Sequence, residues 1–235
     1  MSSSYTIING ASIVMIDGRV ISGGGSCAEP KEIDKTKKIR ADDITQIRVS
    51  SNNANVTISI GDRDDVEVHY HGKVYTDGDV DVDINKFGQE ATINVENTSN
   101  NMYGNLQLDV IIPQKIFECI SVKTVTGNVL LYRNVEAKKI KINSVNGNLV
   151  AEVCCEEIDA QSQNGIIDIF VIPKSNIEMY AKSINGSVTV DVSKFGLCTI
   201  RTSSVNGLAR NEHIANGKFR ASGKVSSING MVRVH

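Results

Sequence analysis

The chain has 235 residues, enough for one large all-β domain or two small ones. Its 25 basic and 27 acidic residues leave a net charge of -2, which argues against a general nucleic-acid or anionic-membrane surface, since both need a strong basic excess. A hydrophobic fraction of 40% is too high for a disordered chain, and no apolar run is long enough to span a bilayer.

At the N-terminus, Met1 to Tyr5 has no positive region, and the apolar run Ala11–Ile16 is cut short by Asp17-Gly18. No signal peptide is read, so the cytoplasm is the default expectation. Tyr5 to Ile21 reads as two short strands around Asn9-Gly10 and Asp17-Gly18. Gly23-Gly24-Gly25-Ser26 reads as flexible, and Lys31 to Arg40 as a charged, solvated connector. Residues 1–41 are therefore assigned to an N-terminal strand or cap segment with a linker. Residues 42–235 are assigned to one β-solenoid domain, with wide, irregular coils over 42–115 and regular coils over 116–235.

In the irregular part, Ile47, Val49, Val56 and Ile58 flank Ser51–Ala54 as a degenerate coil, with Ala54 where glycine stands later. Next, Val66, Val68 and Tyr70 alternate with Glu67, His69 and His71. Alternation puts Glu67, His69 and His71 on one strand face. Two imidazoles and a carboxylate at that spacing are candidate metal ligands. The competing reading is a solvated outer face. Asp77, Asp79, Asp81 and Asp83 form an acidic ladder. It begins like a calcium loop but has Val82 where that loop needs glycine and Gly88 where it needs glutamate. A polar strand face that blocks edge pairing is the alternative.

From residue 116 onward a phrase recurs: Thr124-Val125-Thr126-Gly127, Ser144-Val145-Asn146-Gly147, Ser162-Gln163-Asn164-Gly165, Ser183-Ile184-Asn185-Gly186, Ser204-Val205-Asn206-Gly207 and Ser227-Ile228-Asn229-Gly230. The glycines step by 20, 18, 21, 21 and 23 residues. Apolar residues recur two and four positions after each glycine and five and seven before it, with Thr202, Ala209, Asn211 and Gly223 as weaker members. Such spacing marks two period-2 strands per repeat, joined at a corner. A six-hairpin meander would explain the alternation. A solenoid also explains why the same side-chain class returns at the same offset, because equivalent residues then stack about 4.8 Å apart. The solenoid is therefore the predicted fold. Asn146, Asn164, Asn185, Asn206 and Asn229 are expected to stack as a structural ladder, and the corner glycines to supply positive φ. The final coil is expected to end, uncapped, at Val234-His235.

The recurring Ser/Thr-Val/Ile-Asn/Thr-Gly-x-Val phrase resembles that of the bacterial putative-adhesin family of unknown function, grouped with the toastrack modules. Leu108-Asp109-Val110-Ile111-Ile112-Pro113 leading into Ile120–Val129 is similar to the same family. The resemblance covers residues 42–235. It implies a right-handed, single-stranded β-helix-like fold, an all-β class, and a role in surface adhesion or envelope-stress sensing. It carries no catalytic residues. It also offers the cell surface as an alternative to the cytoplasm.

Five cysteines at irregular spacing, Cys27, Cys119, Cys154, Cys155 and Cys198, suggest neither a disulfide framework nor a zinc motif. Adjacent Cys154 and Cys155 should point to opposite faces of a strand. No nucleophile elbow or phosphate loop occurs, and Asp168 and Glu178 near coil boundaries are the only acidic pair considered for glycoside cleavage. The expectation is a non-catalytic interaction module without cofactor. It would bind a protein or glycan, or self-assemble through terminal coils, and would not insert into a membrane. A sensory module and a polysaccharide-active enzyme are the alternatives.

Overall fold

A computed structural model of the chain describes residues 3–8, 11–16, 19–22, 30–76, 78–97 and 102–235, and every regular element in them is a strand. β1 (Ser3–Ile8), β2 (Ala11–Ile16) and β3 (Arg19–Ser22) make an antiparallel sheet of three strands, one more than the sequence suggested. The turn residues Asn9-Gly10 and Asp17-Gly18, the run Gly23–Ser26, Cys27 and Asp77 lie outside the described residues. The N-terminal part of the second sheet comprises β4 (Lys31–Arg40), β5 (Gln46–Ser51), β6 (Asn55–Gly61), β7 (Asp65–Thr76), β8 (Val80–Phe87), β9 (Glu90–Asn97) and β10 (Met102–Pro113). It continues through β11 (Phe117–Thr126), β12 (Val129–Asn146), β13 (Leu149–Asn164), β14 (Ile167–Val171), β15 (Ile177–Ser183) and β16 (Val188–Asp191). β17 (Leu197–Ser204), β18 (Ala209–Asn211), β19 (Arg220–Ser227) and β20 (Val232–Val234) complete it.

Lys31–Arg40 is thus a ten-residue strand and not a solvated connector. It pairs antiparallel with β7, from Lys31 opposite Val74 to Arg40 opposite Asp65. Ile33 is buried and Ile39 packs against the core, which gives this charged segment its register.

Among strands β11 to β20 every pairing is parallel. A meander would alternate in direction, so the C-terminal half stacks as a solenoid. Each rung contributes one strand before the glycine corner and one after it. β12 and β13 run through the opposite bend without interruption, which joins both faces into one 17-stranded sheet. Cys154 and Cys155 sit at that bend, and the turning backbone buries both thiols where a straight strand would have exposed one.

Side chains stack in columns through the interior. One column before the corner runs Ile93, Val49, Val122, Ile142, Ala160, Ala181, Val225, Thr202. Its counterpart after the corner runs Leu108, Val56, Val129, Leu149, Ile167, Val188, Val232, Ala209. All but the last member of each column are buried. Each fully buried aliphatic side chain contributes about 1.5–3 kcal/mol, so these columns supply the main driving force for stacking.

The columns show that rungs do not follow chain order at either end. At one end β9 and β10 stack outside β5 and β6. At the other, β19 and β20 insert between β15–β16 and β17–β18. The expected uncapped end at Val234-His235 is therefore an interior rung, and the outermost rung is 197–211. Its inward positions explain the exchange. Thr202, Ala209 and Asn211 are polar or small and tolerate one bare side. Val225, Val232 and Val234 are apolar and gain from neighbours on both sides. Asn211 Nδ2 also donates to the Ile200 carbonyl, at 3.1 Å, across the open end.

The corner glycines meet a demand other than the one expected. Of the six, only Gly127 has positive φ, at 137°. A Cβ on Gly147, Gly165, Gly186, Gly207 or Gly230 would instead come within 3.0 Å of the carbonyl oxygen of the corner glycine in the adjoining rung. Close backbone stacking, not left-handed backbone, selects glycine here. Ala54 stands where the neighbouring strands β9 and β10 do not repeat the short corner: Ser50 and Asn55, five positions apart, pair with Asn94 and Gln107, thirteen positions apart.

Candidate functional site at the two ends of the solenoid

The two ends of the stack differ. At the first, β8 covers β9, β7 covers β10, and β4 covers β7, all antiparallel. β4 and β8 are tied by Lys35–Asp81 at 3.0 Å and Lys37–Asp83 at 2.8 Å. Lys31 and Lys35 also donate to the carbonyls of Gly78, just ahead of β8, and Val80, its first residue, at 3.0 and 2.8 Å, so lysines occupy acceptors at the start of that edge. Asp81 and Asp83 of the acidic ladder are thereby committed to lysines, and Asp79 also has a partner. The ladder works here as an edge closure, and this pairing competes directly with calcium.

On the outer face of the same end, β7 buries Val66, Val68 and Tyr70 and turns Glu67, His69 and His71 outward. The structure separates these three. Glu67 faces Arg63 at 2.7 Å and Lys38 at 2.6 Å, and does not join the histidines. The His69 and His71 rings stack with centroids 4.3 Å apart and planes at 21°. Carboxylates from the flanking strands meet them: Asp34 Oδ1 lies 2.8 Å from His69 Nε2, and Asp109 Oδ2 lies 2.9 Å from His71 Nε2. Gln107 Nε2 donates to Asp109 Oδ1 at 3.0 Å and to Thr57 Oγ1 at 2.7 Å, which fixes the Asp109 carboxylate. Sequence spacing could reveal only the candidates on β7. Asp34 and Asp109 come from strands 35 and 38 residues away, and only the pairing of β4 and β10 with β7 reveals them.

The Arg63 guanidinium, with Lys38 behind it, holds the Glu67 carboxyl down from 4.5 to about 2. A carboxylate depressed on folding adds stability above its unfolded pKa and loses it as pH falls through the folded value. The contribution of Glu67 is therefore expected to fade as pH drops from 4.5 toward 2. In thermal melts followed by circular dichroism, Glu67→Gln should lower the melting temperature at neutral pH and flatten its decline across that acid window. A decline as steep as in the wild type would show that other groups carry it.

At the second end no described strand pairs with the outer edge of β17 or β18. Leu197, Val205, Leu208 and Ile214 are exposed around this rung, Ile214 by 81% and Val205 by 73%. Between the ends, one corner edge carries an amide ladder. Asn164 donates to Asn146 at 2.8 Å, Asn185 to Asn164 at 2.8 Å, Asn229 to Asn185 at 2.7 Å, and Asn206 to Asn229 at 2.7 Å. Behind it Ser162, Ser183, Ser227 and Ser204 donate to the carbonyls of Gly147, Gly165, Gly186 and Gly230, at 2.7–3.2 Å. The ladder follows the exchanged rung order, with Asn229 ahead of Asn206. Beside it lies a shallow groove of about 450 Å³, bordered by Lys123, Asn143, Gln161 and Lys182.

Residues 44–226 match the family model described as Toastrack DUF4097. The chain belongs to this family. A putative cell adhesion protein from Clostridium sporogenes is similar in fold, with a TM-score of 0.52 at 11% identity over 87% of this chain and 99% of that one. A putative adhesin from Bacteroides fragilis matches with a TM-score of 0.47 at 11% identity, over 86% of this chain and 97% of that one. Among curated proteins none matches the sequence.

The Toastrack match begins after β4 and stops before Ser227, so both β4 and β20 lie beyond it. Within it, the acidic pair considered for glycoside cleavage is not assembled. Asp168 lies on β14, after the corner, and Glu178 on β15, before the next one, and they belong to opposite faces. Tyr180 donates to Glu178 at 2.5 Å. The Cys155 thiol is pushed up to about 12 by burial, so it is a packing group of the bend and a poor nucleophile. No helix of the described residues is long and apolar enough to cross a membrane.

Proposed function

We propose that this Toastrack chain is a non-catalytic, adhesin-like interaction module that works through its open end. The observation that carries the reading is the contrast between the ends: β4 and β8 close one, while β17 and β18 leave the other unpaired beside exposed Leu197, Val205, Leu208 and Ile214. An unpaired strand edge with apolar neighbours is a template for another strand. The occupant proposed is a second copy of the chain. Open end to open end, two copies pair their outer strands antiparallel, and the contact is the same patch on both sides, so assembly stops at two. The lysine-closed end gives no acceptor for a growing fibre. The stiff stack then spaces two identical distal surfaces, a geometry suited to adhesion at a cell surface.

Sedimentation velocity up to millimolar concentration tests this. The expected result is a reversible dimer that the double variant Val205→Asp, Leu208→Asp converts to monomer, both side chains being exposed and free of any role in the core. A strictly monomeric wild type, or a dimer that the double variant leaves intact, overturns it.

A further inference from the structure

We propose that His69, His71 and Asp109 form a binding site for a borderline divalent transition metal of the zinc class, on the closed end of the solenoid. One ligand atom from each of the three lies within 4.8 Å of the others, so a single ion is within reach of all three. Zinc sits about 2.0–2.2 Å from imidazole nitrogen and carboxylate oxygen, so binding requires the three groups to converge by roughly an ångström. They have that freedom, since the side chains of His69, His71 and Asp109 are only half-buried, at 37%, 38% and 33% exposure. Their backbones do not move with them. β7 and β10 pair over ten consecutive positions, with Asp109 directly opposite His69, and β4 pairs with β7 on its other side.

The surroundings are those of a ligand set held from behind. Asp109 uses Oδ1 on the Gln107 amide and turns Oδ2 to His71, so its outward oxygen is already aimed at an imidazole. Asp34 holds the His69 ring by Nε2, which leaves Nδ1 of that ring as its open donor. A metal would take the place of the proton shared between His71 Nε2 and Asp109 Oδ2. Three protein ligands facing solvent leave the remaining positions to water. Two imidazoles with one carboxylate favour zinc, nickel or copper. Calcium and magnesium prefer a shell made of oxygens and should not compete. Glu67, the carboxylate that sequence spacing offered, is excluded by Arg63 and Lys38. Bound metal would pin β7 to β10 across the end that closes the stack.

The test is titration calorimetry of untagged, chelator-treated protein with zinc chloride, with calcium chloride as control, paired with thermal melts. Wild type is expected to bind one zinc and to gain roughly 5 °C in melting temperature near saturation. His71→Ala and Asp109→Asn should each weaken zinc binding at least tenfold while keeping the apo melting temperature near that of the wild type. Asp34→Asn should weaken it less. Zinc uptake that persists unweakened in both His71→Ala and Asp109→Asn would overturn the assignment to these three residues. Absence of uptake by wild type would remove the site altogether. Neither result bears on dimerisation at the opposite end, which the sedimentation experiment reads separately.

Discussion

Gly165→Ala is expected to leave little folded protein. The added Cβ would stand within 3.0 Å of the Gly147 carbonyl oxygen and its carbon, both backbone atoms of the rung below. A side chain can turn away from such an overlap, but stacked backbone can yield only by opening the rung spacing. That spacing carries the parallel ladders on both faces, from Leu149–Ile167 to Ser162–Ser183. Overpacking of a core side chain costs about 1–3 kcal/mol, and backbone against backbone should exceed that range. A domain holds only about 5–15 kcal/mol in total. The reciprocal change, Ala54→Gly, provides the control. The Ala54 methyl is already accommodated and buried, so the loss is that methyl and some chain entropy, about 1 kcal/mol. Urea denaturation of the two variants should therefore separate widely. Equal midpoints would show that the corner does not require close backbone approach.

Val232→Asp and Ala209→Asp test the rung exchange. Val232 is fully buried, with Val188 on one side and Ala209 on the other. A carboxylate there has no cationic partner in the column and should cost about 3–5 kcal/mol, enough to unfold the last rungs. Ala209 sits on the outermost rung and is only partly buried. Aspartate at that position can turn to water, and its cost should be well under half as large. Stacking in chain order would reverse the ranking, since Val232 would then lie outermost and Ala209 would be enclosed. Chemical denaturation of both variants decides the matter, and amide hydrogen exchange over 197–204 adds a second readout. In the exchanged order those amides depend on β19 and should lose protection along with it in Val232→Asp.

The contrast between these two positions also shows how far the amino-acid sequence could be read. The repeated corner phrase and its flanking apolar offsets were sufficient for parallel stacking, because stacking alone makes the same residue class recur at the same offset. The degenerate coil around Ala54 was legible for that reason too. The order of rungs was not read, although its signal was present. Thr202, Ala209 and Asn211 break the apolar columns in a single repeat, and a repeat with polar inward positions belongs at an end. The strand Lys31–Arg40 was missed because its charges are spent on edge contacts with β8 and Glu67, while Ile33 and Ile39 alone point to a core. The histidine cluster was half legible. Alternation placed His69 and His71 together, but it also nominated Glu67, whose charge is consumed by Arg63 in the bend just before β7.

Taken by itself, the chain's periodicity determined the class of fold, the six repeated glycine corners and the ladder of amides along them. These are local demands that repeat, and a repeated demand is visible in one dimension. Only the tertiary structure decided which rung lies outermost, which carboxylates meet the histidines and which end is closed. Those outcomes depend on pairings between segments tens of residues apart, where burial of apolar columns and neutralisation of strand edges outweigh nearness along the chain.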